Sequence, residues 1–258
     1  METLVEESPN PNWPVEEAHW LTATRSHIAQ LAQQGQDPRF VFHNDRLSYH
    51  LEQTVGLLES SDSSTGSPRL TVHLAALFYP MGFAREATEP LAESQALARR
   101  FLLRAGLPAE KVEEVGRIMH EAHRQHPQTA GSSYLADALL GLRCPRADET
   151  DWPSLAQLEV ELIKDTHDRV GWQQQELQEL LTLCFHTSAG RQRWQEALGQ
   201  RILAQRRKLE KARRNQSTPT QAGNGSGAFG PLEEGPAARG AQTFFRAVFR
   251  NHINLSAI

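Results

Sequence analysis

Apolar residues recur along this chain at intervals of three and four, the spacing that puts side chains on one face of an α-helix. In 45–59, Leu47, Leu51, Val55 and Leu58 are separated by 4, 4 and 3 residues. In 16–34, Trp20, Ile28 and Leu31 stand among polar residues at near-helical spacing, and Gly35 ends the segment. Segment 69–79, RLTVHLAALFY, is apolar almost all round, which predicts the buried centre of a bundle, broken by Pro80 and Gly82. Leu97, Phe101 and Leu102 carry a helix over 89–105, and Gly106-Leu107-Pro108 stops it and restarts another that runs to about His126. Residues 134–142 predict a short apolar helix closed near Cys144-Pro145. Segments 152–170, 173–188 and 189–214 predict three more, the middle one carrying Leu177, Leu180, Leu181 and Phe185. Ser60 to Pro68 reads as a flexible loop. The chain has no alternating strand pattern and no internal repeat. Some eight short helices with short connections predict an all-α, bundle-like domain over 1–214.

After Arg214 the pattern stops. Residues 215–238, NQSTPTQAGNGSGAFGPLEEGPAA, predict a flexible linker. In 239–258, Phe244, Phe245, Val248 and Phe249 are interleaved with Arg246 and Arg250, so a short amphipathic helix is expected there.

Charge sharpens this division. The formal net charge is −4 over 258 residues, with a pI near 6.3, which argues against a protein that coats nucleic acid. That −4 divides into −11 for 1–200, +6 for 201–214 and +1 for 215–258. The basic stretch RILAQRRKLEKARR reads either as a solvated helix face or as a segment drawn to anionic lipid. No run of about 18 apolar residues is present to span a bilayer. The acidic start METLVEESPNPNWPVEE lacks the basic-then-apolar order of a signal peptide. Cys144 and Cys184 cannot build a disulfide framework, so a reducing compartment and buried thiols are expected.

Eleven histidines in a helical chain raise the question of a metal. His120, His123 and His126 lie at i, i+3 and i+6, and the third falls about 240° around the helix, away from the first. The spacing is also one residue short of HExxH, so a solvated helix end is the expectation there. Ser48 and His50 lie two apart on a helix and face different ways, so no nucleophile is assigned.

Three stretches come in an order that resembles the HD-domain metal-dependent phosphohydrolases. They are Phe42-His43-Asn44 followed by His50, then Ala75-Ala76-Leu77-Phe78-Tyr79-Pro80-Met81-Gly82-Phe83 with Glu93-Ser94 after it, and Asp137-Ala138-Leu139-Leu140. The resemblance implies an HD-like helical bundle. The His-Asp pair that names that family is here Tyr79-Pro80, and Pro90-Leu91 stands where a His-Glu feature belongs. A phenol with a pKa of about 10 is a poor ligand for a hydrolytic metal, and proline offers none. His50 and Asp137 remain, where a catalytic site uses about three protein ligands. The expectation is a pseudoenzyme with no metal, no cofactor and no catalytic residue. Its vestigial pocket of His43, His50, Tyr79 and Asp137 either binds a phosphate or nucleotide, or simply packs and hydrogen-bonds. An active phosphohydrolase with a rearranged site and a ligand-free scaffold or oligomerisation module are the alternatives.

The tail carries a second resemblance. Arg239, Gly240, Thr243, Phe245, Arg246, Arg250, Asn251, His252, Leu255, Ser256 and Ile258 resemble the opening of the membrane domain of Pycsar effector proteins. In that family the next residues are Ala-Asp-x-Lys-Ala and then transmembrane helices. The sequence stops at Ile258, so a soluble portion or truncated copy of a membrane effector is expected, with Arg246, Arg250, Asn251 and His252 next to the membrane. The resemblance implies antiphage signalling at the cytoplasmic face of the inner membrane. It also implies a cyclic pyrimidine nucleotide as signal. A homo-oligomer is expected, and the charge balance leads us to expect no nucleic-acid partner.

Overall fold

A computed structural model describes residues 15–34, 39–62, 69–85, 89–146, 149–164 and 169–217. The described residues form α1 (Val15–Gln33), α2 (Asp45–Ser61), α3 (Leu70–Phe78), α4 (Pro90–Arg104), α5 (Ala109–His123), α6 (Ala130–Gly141), α7 (Trp152–Lys164), α8 (Arg169–Thr182) and α9 (Ser188–Ser217). A 3-10 helix, Tyr79–Arg85, continues α3. The described residues contain no strand, so the all-α class holds.

The bundle is built around α3. All nine of its residues are buried, and α1, α2, α4, α5 and α6 all pack on it. Leu74, Leu77 and Phe78 are each fully buried, and such a side chain contributes about 2 kcal/mol by leaving water. The predicted stripe of α2 is the buried one: Leu47, Leu51, Val55 and Leu58 all face inward. The Asn44 side chain accepts the Leu47 amide at 3.0 Å and so caps the first turn of α2.

Several boundaries differ from the sequence reading. Pro80 and Gly82 convert α3 to a 3-10 turn rather than ending it in a loop. Helix α6 begins four residues early, at Ala130, because Thr129 and Ser132 form a reciprocal capping box. Pro108 sits at the N-cap of α5 with an extended backbone, so the restarted helix begins one residue after it, at Ala109. The predicted helix over 173–188 lies over Arg169–Thr182, and 183–187 is a non-helical connection. Helix α9 runs to Ser217, three residues into the predicted linker. Cys144 is buried, its thiol pushed up to about 12 by burial, whereas Cys184 is exposed, contrary to expectation. Residues 63–68 of the predicted loop, most of the predicted linker and the whole 239–258 segment, including Arg246, Arg250, Asn251 and His252, lie outside the described residues.

Candidate functional site

His43 lies one residue before the N-cap of α2 and is buried. Its Nδ1 pairs with a carboxylate oxygen of Glu159 on α7, and the other oxygen accepts the amides of Phe42 and His43 at 2.8 and 2.9 Å. The imidazole stacks on Phe83, centroids 5.1 Å apart. On the same aromatic column, Phe83 stacks on Tyr79 at 5.3 Å. The Tyr79 hydroxyl hydrogen-bonds Nδ1 of His123 at 2.9 Å, and burial pushes its phenol upward, away from the phenolate a metal would need. His43 and Tyr79 thus both stack on one phenyl ring.

His50 joins this column indirectly. It rests against Trp152 at 5.0 Å, and Trp152 meets Phe42 edge-on at 6.0 Å. Burial lowers the pKa of His50, with Glu149 raising it and Arg193 lowering it further, so the imidazole is held neutral at pH 7. Ser48 is fully buried on the same helix while His50 is only half-buried, as their two-residue spacing predicts.

Asp137 is bound elsewhere. Its Oδ1 accepts the His186 amide at 2.7 Å, and its Oδ2 accepts the Thr187 amide at 2.8 Å and the Thr187 hydroxyl at 2.6 Å. These donors belong to the connection that starts α9. The first turn of α9 then closes over the carboxylate: a Cβ added at Gly190 would lie 2.2 Å from Oδ2. Glycine is required there because the helix backbone and the buried acid approach so closely. A little further along the same crossing, Gly141 leaves room for the indole of Trp194, which a Cβ would meet at 2.7 Å. Burial raises the pKa of Asp137, and the three hydrogen bonds and His186 oppose this only in part.

These residues do not fit the metal that the HD resemblance would place among them. Asp137 has both oxygens engaged by three donors, and Tyr79 is a buried neutral phenol. No group of three or more His, Cys, Asp or Glu side chains among the described residues is arranged to hold an ion. His120 and His126 are exposed, as expected of a solvated helix end, although α5 ends at His123 and His126 lies beyond it; His123 instead turns inward to Tyr79.

The most densely charged buried cluster went unpredicted. His73, at the centre of α3, donates from Nδ1 to Glu52 at 2.8 Å and from Nε2 to Glu59 at 2.9 Å. Arg25 of α1 reaches the second oxygen of Glu52 at 2.8 Å, and the Arg69 amide donates to Glu59 at 3.3 Å. Two carboxylate partners require two N–H donors, so the imidazole is a cation here. Burial alone would lower its pKa, but Glu52 and Glu59 outweigh that and raise it. Burial alone would raise Glu52, but His73 and Arg25 outweigh that and hold it below its ordinary value. Gly56 lies between the two glutamates on α2 and leaves space for the ring, whose Cε1 a Cβ would meet at 3.4 Å. The available signal was a lone histidine in an otherwise apolar helix.

No family model, curated protein or solved structure matches this chain.

Proposed function

We propose that the described domain is a catalytically inactive, HD-like regulatory domain of a Pycsar-type antiphage membrane effector. Two kinds of support come together. The tail residues Arg239 to Ile258 carry the resemblance to the membrane module. Of the four candidate pocket residues, His43, Tyr79 and Asp137 are committed to internal hydrogen bonds, and His50 rests against Trp152.

One observation carries the reading. Asp137, the acid that the resemblance assigns to the metal, pins the start of α9, the helix that leads toward the tail. A carboxylate with three donors is a structural anchor, and a change in the core at Asp137 is passed directly to that helix. The domain's task is then to hold or release the C-terminal module, with a cyclic pyrimidine mononucleotide as the signal the effector answers.

Metal analysis of the purified chain tests the inactive reading. Manganese, iron and zinc are expected well below one equivalent, and stoichiometric metal lost in His50→Ala would overturn the proposal. Restoring the family pair with Tyr79→His and Pro80→Asp is expected to give no gain in metal, because Asp137 is already taken. Calorimetry with cyclic UMP and cyclic CMP tests where the signal is read: heat on mixing places sensing in this domain, and no heat leaves it the holding role alone.

A further inference from the structure

The basic residues of α9 from Arg191 to Lys211 fall into two groups. In its first half, Arg193 pairs with Glu149 at 2.6 Å, Arg201 with Glu176 at 2.7 Å, and Arg191 donates to the carbonyls of Phe185 and His186 at 3.1 and 3.3 Å. These cations fasten the helix to the body. Further along, Arg206, Arg207, Lys208 and Lys211 are all exposed, and none makes an ion pair or side-chain hydrogen bond among the described residues. Gln205 and Leu209 keep this part of the helix seated on its inner side. At 100° per residue the four cations fan across the outward side.

The helix dipole does not account for them. Its favourable effect on cations is confined to about the last turn, whereas Arg206 lies eleven residues before Ser217, the end of α9. Glu17, Glu149, Glu176 and Glu179 of the body are each paired with a cation of the same chain, Lys111, Arg193, Arg201 and Arg143.

We propose that the outward face of α9 around Arg206, Arg207, Lys208 and Lys211 is a docking surface for a bilayer bearing anionic headgroups. The charge arrangement favours a surface over a polyanion that wraps. Residues 1–200 carry −11, so a polyphosphate that wraps the body would meet repulsion, whereas a surface approached through the outward face of α9 meets these cations first. Contact orients the body away from the membrane and delivers residues 239–258 to it. That last point rests on the proposed membrane-effector reading; the charge argument does not.

The test is co-sedimentation of the full chain with vesicles of phosphatidylglycerol and phosphatidylcholine, and with phosphatidylcholine alone. Binding is expected to the anionic vesicles only, and to weaken steeply with added salt. Each neutralised cation lowers partitioning about fivefold, so Arg206→Gln, Arg207→Gln, Lys208→Gln and Lys211→Gln together should weaken it by at least about a hundredfold. Circular dichroism and thermal melting of that variant should match the wild type, since all four side chains are exposed. Equal binding to neutral vesicles, or undiminished binding by the quadruple variant, overturns the proposal. So do preferential binding of a duplex oligonucleotide, or self-association lost in the same variant. A companion variant, Arg246→Gln with Arg250→Gln, separates the two readings. If binding falls only in this variant, the α9 surface is refuted and the membrane-effector reading stands. If the wild type binds neither vesicle, the α9 proposal falls, and the effector reading is judged on the metal and nucleotide measurements.

Discussion

Glu52 on α2 and Asp137 on α6 are both buried carboxylates with hydrogen bonds to both oxygens or to flanking groups, yet they are pushed in opposite directions. Glu52 faces two cations, His73 and Arg25, and its pKa falls despite burial. Asp137 faces two amides and a hydroxyl, and its pKa rises because burial outweighs those dipoles. Dipoles satisfy hydrogen-bonding capacity but do not replace the hydration of a charge as an ion pair does. The first cluster joins three helices of the core. The second fixes one connection, 183–187, at a cost that leaves it easier to perturb.

The largest effect expected from breaking this contrast is at His73. His73→Ala removes the cation between two buried acids and should destabilise the fold by about 3–5 kcal/mol, read from the denaturant midpoint. Next is Gly190→Ala, which drives a methyl into the Asp137 carboxylate and should cost about 1–3 kcal/mol. Tyr79→Phe should cost only about 1 kcal/mol, the value of one neutral hydrogen bond to His123.

The two clusters also separate by pH. The raised pKa of His73 contributes stability that is complete below its ordinary value of about 6.5 and is lost as pH rises through the raised folded value. The lowered pKa of Glu52 contributes stability that is complete above its ordinary value of about 4.3 and is lost as pH falls through the lowered folded value. The α2–α3 cluster is therefore strongest between those two ordinary values. Asp137 works the other way from Glu52: its raised pKa favours folding at low pH, and that contribution is lost as pH rises through the raised value. Melting temperatures of the wild type should fall on the alkaline side of about pH 6.5, and His73→Gln should flatten that alkaline limb.

Much of this was legible in the apolar spacing. Leu47, Leu51, Val55 and Leu58 placed α2 in register, and the all-round apolarity of 69–79 identified the central helix. The charged cluster was not legible because Glu52 and Glu59 flank the apolar stripe, where acids ordinarily reach water, and only the approach of α3 encloses them. Asp137 stood out as an acid in an apolar helix, but its donors lie 49 and 50 residues further on, a separation that no local pattern reports. His43 was singled out while its partner Glu159, 116 residues away, gave no local sign.

Hydrogen exchange on Asp137→Ala tests the claim that this acid is the anchor of α9. The account predicts that the amides of His186 and Thr187 and the first turn of α9 lose protection by at least about tenfold, while α2 and α3 keep theirs. Unchanged protection at 186–190, or a uniform loss throughout the molecule, would contradict it.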